Sequence, residues 1–95
     1  MNTRKKIEVF SAGCSTCKET IELVKKLAGS SHEVEVHDMN RSEIASKAKN
    51  YGIRSIPMLI VFRRGQEIAR QSGAMDARSL VNWLESVASA AGASA

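Results

Sequence analysis

Cys14 and Cys17 are the only cysteines in the chain, and two residues separate them in the run Gly13-Cys14-Ser15-Thr16-Cys17. Thiols at this spacing can cycle between dithiol and disulfide, or they can supply half of a zinc site. A short β-branched run, Lys6 to Phe10, precedes the pair. A helical stripe of Cys17, Ile21, Val24, Leu27 and Ala28 follows it, so the pair lies where a strand turns into a helix. That context is the one in which a C-x-x-C is redox-active. With Cys14 at or near the N-cap, Cys17 comes three residues later on the same face, near enough for the sulfurs to close a small ring. The first-turn amides lack intrahelical partners, and with the helix dipole they favour a thiolate on Cys14, drawing its pKa below the ordinary thiol value of about 8.5. Cys17, deeper and one turn in, keeps its proton until it is needed.

A second pattern competes. Cys14-x2-Cys17-x14-His32-x4-His37 fits the loose spacing of a two-cysteine, two-histidine zinc finger, and a basic chain suits nucleic acid. In a finger, however, the cysteines occupy a hairpin and the histidines the following helix. Here the helical stripe lies between the two pairs, and His32 and His37 flank an alternating strand. An odd separation along a strand turns them to opposite faces, where they read as solvent-exposed or strand-end histidines.

The elements that must position the cysteines follow from periodicity. Strands are expected at Lys6 to Phe10, Glu33 to His37, Met58 to Arg63 and Gln66 to Gln71, with Arg64-Gly65 as a hairpin turn between the last two. Met58 to Arg63 is continuous enough to be buried on both faces. Helical spacing recurs at Ile44, Ala45 and Ala48, and at Leu80, Val81, Leu84, Val87 and Ala88 with Trp83 at the edge. Ser42 and Asp76 are the expected N-caps, and Gly29 and Gly52 stand where helices stop. The order is β-α-β-α-β-β-α, an α/β mixed sheet flanked by helices.

Ninety-five residues, 43% hydrophobic and 25% charged, make one ordinary globular domain, expected over 1–90 with a disordered small-residue tail at 91–95. Fourteen Lys plus Arg against ten Asp plus Glu give a net charge of +4, but the basic residues are scattered, which argues against a nucleic-acid partner. The longest apolar run, Met58 to Phe62, is far short of the roughly 20 residues of a membrane span, and the basic start is followed by too short an apolar stretch for a signal peptide. The expectation is therefore a cytoplasmic monomer without membrane partner, whose cysteines are not a structural staple.

The run Asn50-Tyr51-Gly52-Ile53-Arg54-Ser55-Ile56-Pro57-Met58-Leu59-Ile60-Val61-Phe62-Arg63-Arg64-Gly65 resembles the thioredoxin pattern K-Y-G-I-R-x-I-P-T-L-x-x-F-x-x-G. It continues in register into Gly73-Ala74, Leu80 and Trp83-Leu84, densely over about the last 45 residues and more loosely from Ile7 to Cys17. The resemblance implies a thioredoxin-like fold with strand order 2-1-3-4 and a cis Ile56-Pro57 peptide packed against the cysteines. The backbone of Ile56 would then offer hydrogen bonds to an extended substrate, with Gly73-Ala74 completing the rim. It further implies a thiol-disulfide oxidoreductase of protein disulfides with no bound cofactor and no metal, a redox disulfide between Cys14 and Cys17, and recharging by a thioredoxin reductase or a small thiol.

The departures are specific. The chain starts at the cysteine-bearing βα unit, as the shorter glutaredoxins do. No aromatic residue precedes Cys14, Ser15-Thr16 replaces Gly-Pro, Glu22 replaces a kinking proline, and Met58 follows Pro57 in place of threonine. Glu8, six residues before Cys14, stands where thioredoxins keep a buried acid that helps deprotonate the second cysteine. Read alone it is an exposed strand glutamate, because Glu is seldom fully buried unpaired; read through the resemblance it is the proton acceptor. Gly73-Ala74-Met75-Asp76 matches only part of a glutaredoxin's G-G-x-D segment, which leaves a glutathione-dependent reductase as the alternative within the same chemistry.

Overall fold

The computed structural model describes residues 5–13, 15–73 and 75–93. The elements are β1 (Lys5–Ser11), α1 (Ser15–Ala28), β2 (His32–Asp38), α2 (Ser42–Asn50), β3 (Met58–Arg63), β4 (Gln66–Ser72) and α3 (Ala77–Ala93). They form a four-stranded sheet of order β2-β1-β3-β4 in which β1 and β2 run parallel and β3 is antiparallel to both β1 and β4. This is the thioredoxin-like arrangement that the resemblance implied.

The two inner strands are buried because both faces are covered. On one face Ile7, Val9, Leu59 and Val61 pack against Val24 and Ala28 of α1 and Leu80 and Val87 of α3. On the other, Phe10, Met58 and Ile60 pack with Ala48 of α2, bordered by Ile44, Tyr51 and Phe62. The near-continuous apolar run of β3 is the sequence trace of this double cover, since alternate residues face different layers. At the hairpin both Arg64 (φ 55°) and Gly65 (φ 79°) are left-handed, as a two-residue turn matched to strand twist demands.

Asp76 caps α3 as expected, its Oδ1 accepting the Ser79 N–H at 2.8 Å. Ser42 does not cap α2. The turn in which the Arg41 N–H donates to the Asp38 carbonyl starts the helix one residue earlier, and the Arg41 carbonyl accepts from both Ile44 and Ala45. α3 continues to Ala93, beyond Ala88 where the stripe ends, in keeping with the helix propensity of its alanines. Among the described residues no helix is long and apolar enough to cross a membrane.

Candidate functional site

β1 carries the chain to Ser11, and α1 begins at Ser15, so the cysteine run occupies the strand-to-helix junction. Cys14 and Ala74, two of the expected site residues, lie outside the described residues. Gly13 turns the chain with φ of 80°, a conformation that an L side chain takes only with strain. Cys17 lies in the first turn of α1, fully buried, with its sulfur in a disulfide. That first turn holds no acidic residue, so nothing there offsets the positive end of the helix dipole. One turn on, the buried Thr20 hydroxyl donates to the Thr16 carbonyl at 3.0 Å.

Sheet register brings the other expected residues to this junction. Phe10 pairs with Met58, and Met58 with Ser72, so the chain entering β3 at Ile56-Pro57 lies between the end of β1 and Gly73 at the end of β4. The Ile56-Pro57 peptide is cis, and the Pro57 carbonyl accepts the Gly73 N–H at 2.8 Å. Two residues that sequence reasoning passed over hold the junction from the β2 side. The Met39 N–H donates to the Ser11 carbonyl at 2.7 Å, and Asn40 Nδ2 donates to the Ala12 carbonyl at 3.4 Å.

Glu8 is not the exposed strand glutamate of the ordinary reading. It is only 4% exposed, because it has hydrogen-bonding and charged partners. His37 Nε2–H donates to its Oε1 at 2.7 Å, and Lys47 Nζ reaches the same oxygen at 3.0 Å. His37, expected to be solvent-exposed or at a strand end, lies near the end of β2 and is buried with its ring 4.8 Å from that of Phe10. His32 is buried too, beside Leu27 and Leu84, and its Nδ1 lies 2.8 Å from the Ser31 hydroxyl. The two histidines therefore face opposite layers of the sheet, as their odd spacing predicted, and do not converge on one ion. A buried acid needs a cation or donor, and His37 on the neighbouring strand was the available clue. Beside Glu8 an open, polar cavity of about 490 Å³ is lined by Lys6, Lys47, Tyr51, Phe62 and Arg64.

A thioredoxin family model matches residues 2–86. Thioredoxin 1 of Synechococcus elongatus is 34% identical over 80 residues, covering 83% of this chain and 75% of the relative. A protein of Acidithiobacillus ferrooxidans named "Uncharacterized 9.0 kDa protein in mobE 3'region" is 41% identical over 83 residues, covering 87% of this chain and 95% of its own length. Among solved structures, a mutant thioredoxin from Halobacterium salinarum superposes with a TM-score of 0.76 at 25% identity, over 90% of this chain and 75% of that one. The chain belongs to the thioredoxin family. Its general chemistry is that of a thiol-disulfide oxidoreductase.

Proposed function

We propose that the chain reduces or exchanges protein disulfides through Cys14 and Cys17, with Cys14 as nucleophile and Cys17 as resolver. The observation that carries this is the position of the C-x-x-C run in the chain between β1 and the first turn of α1, together with a cis Ile56-Pro57 peptide leading into β3, the strand paired with β1. On this reading Cys14, the only other cysteine, is the partner in the Cys17 disulfide.

In the reduced protein the Cys14 thiolate attacks one sulfur of the substrate disulfide. A mixed disulfide forms, and the other substrate sulfur leaves as a thiolate. Cys17 then loses its proton to Glu8 and attacks the Cys14 sulfur. The Cys14–substrate bond breaks, the second substrate sulfur departs, and the intramolecular disulfide holds the two electrons' worth of oxidation. On this reading Ile56, Pro57, Gly73 and Ala74 receive an extended substrate segment, which adds to the backbone as a strand does. A reductase or a low-molecular-weight thiol of the cytoplasm restores the dithiol. Buried, hydrogen-bonded Glu8 supports the acceptor role that the family resemblance gives it.

The test is insulin reduction driven by dithiothreitol. The parent protein precipitates the insulin B chain, and Cys14→Ser does not exceed the uncatalysed rate; full activity in Cys14→Ser overturns the proposal.

A further inference from the structure

The sheet ends in two strands whose outer sides are guarded differently. An edge strand presents a row of unpaired N–H and C=O groups, which proteins blunt with bulges, charges or short strands. β4 carries a bulge: Val61 pairs with Ala69 and Phe62 with Glu67, so Ile68 is left over and the register breaks. On the same strand Arg70 donates twice to the Glu67 carboxylate, at 2.6 and 2.7 Å. β2 has neither device. It pairs with β1 in one unbroken parallel register, from His32 opposite Lys5 to Asp38 opposite Ser11. Among the described residues no strand pairs with its outer side.

The side chains of β2 define what an added strand must carry. Val34 and Val36 share the α1 side of the sheet with Ile7 and Val9, their partners on β1, while Glu33 and Glu35 share the α2 side with Lys6 and Glu8. Val36 is 40% exposed and borders a groove of about 290 Å³ that reaches Arg41 and Ile44 at the start of α2. β2 holds three carboxylates, Glu33, Glu35 and Asp38, and no Lys or Arg, within a chain of net charge +4. Glu35 is engaged by Lys6, whereas Glu33 is exposed and makes no ion pair among the described residues. A second copy of β2 would set these carboxylates against their own kind, and like charges facing across a strand pair are destabilising. A strand that alternates Val or Ile with Lys or Arg meets apolar with apolar and acid with base.

We propose that the outer edge of β2 is a docking site for an extended segment of a partner protein in which apolar residues alternate with Lys or Arg, added to the sheet as a fifth strand. The unpaired backbone groups of β2 supply the pairing, and Val36 and Glu33 supply the choice of sequence. The site is separate from the one given to substrate at Ile56-Pro57 and Gly73, which adjoins β3 and β4, and it does not depend on the cysteines.

The probe is an acetylated, amidated heptapeptide of alternating lysine and valine. Titration of the isotope-labelled protein at low salt gives the affinity from chemical shifts, and amide hydrogen exchange shows where the peptide lies. Alternate amides between Glu33 and Asp38, those not bonded to β1, exchange more slowly with peptide present, while β4 amides do not change. Glu33→Lys weakens binding about fivefold. Glu22→Lys, the same charge change on the exposed side of α1, leaves it within about twofold, and a glutamate-valine heptapeptide does not bind. No slowed amide in β2 at millimolar peptide overturns the proposal. Equal losses in Glu33→Lys and Glu22→Lys also overturn it, because the peptide then follows net charge and not the edge. Protection of the same amides without peptide, in a protein that sediments as a dimer, makes a second copy the occupant and overturns it as well.

Discussion

The two faces of the sheet are closed by different means. Behind α1 and α3 the contacts are apolar, with Ile7, Val9, Val24, Leu59 and Val61 all fully buried. On the α2 side the apolar cluster of Phe10, Met58 and Ile60 gives way, two residues back along β1, to a polar group of Glu8, His37 and Lys47 that opens on a polar cavity. One β-strand thus supplies a packing residue to one layer and a titratable residue to the other. The first layer holds the fold, and the second spends some stability to keep polar side chains buried.

Breaking the apolar face has the largest effect on stability. Leu59→Ala removes a fully buried side chain between α1 and α3 and lowers stability by about 2–5 kcal/mol, read as a lower denaturant midpoint at constant slope. On the polar face a single change is milder. Glu8→Leu leaves the His37 N–H without its acceptor and costs about 1–3 kcal/mol. Replacing Glu8 and His37 together in Glu8→Leu/His37→Leu brings stability back to within about 1 kcal/mol of the parent, since an apolar pair replaces a hydrogen-bonded one and the partly exposed Lys47 turns to water. A double variant as unstable as Leu59→Ala would erase the contrast between the faces.

The outer charges matter least. Glu35 is held below the ordinary carboxylate range first by its hydrogen bond from Lys6, against the effect of burial, and Glu67 likewise by Arg70. A carboxyl depressed in the folded state contributes stability in full above its unfolded value of about 4.3, and the contribution is lost as pH falls through the lower folded value. Both pairs are partly exposed, so Glu35→Gln and Glu67→Gln each cost about 0.2–1 kcal/mol at neutral pH, less in high salt, and nothing below both values. Equal losses at pH 7 and at pH 2 would contradict this.

The contrast also marks how far the sequence could be read. β3 and the Arg64-Gly65 turn were legible because burial on two faces and a tight hairpin leave local signatures, and Asp76 was legible because its cap lies within one turn. Cis Ile56-Pro57 and the strand order came from family resemblance, not from propensity. Glu8 read without the resemblance, and His37, were misread because their burial is mutual. Neither side chain is buried unless the parallel pairing of β1 and β2 brings the other, and that register is a tertiary fact. Ser42 failed for a related reason: the turn beginning at Asp38, not local cap preference, sets where α2 starts.

The claim on which the account turns is the unequal division of labour between the two cysteines, and trapping tests it most directly. Cys17→Ser is incubated with insulin, and the products are mapped by mass spectrometry under non-reducing conditions. The account predicts a stable covalent adduct through the Cys14 sulfur, released by dithiothreitol and absent from Cys14→Ser. A Cys17→Ser protein that forms no adduct and still reduces insulin at the parent rate would contradict it.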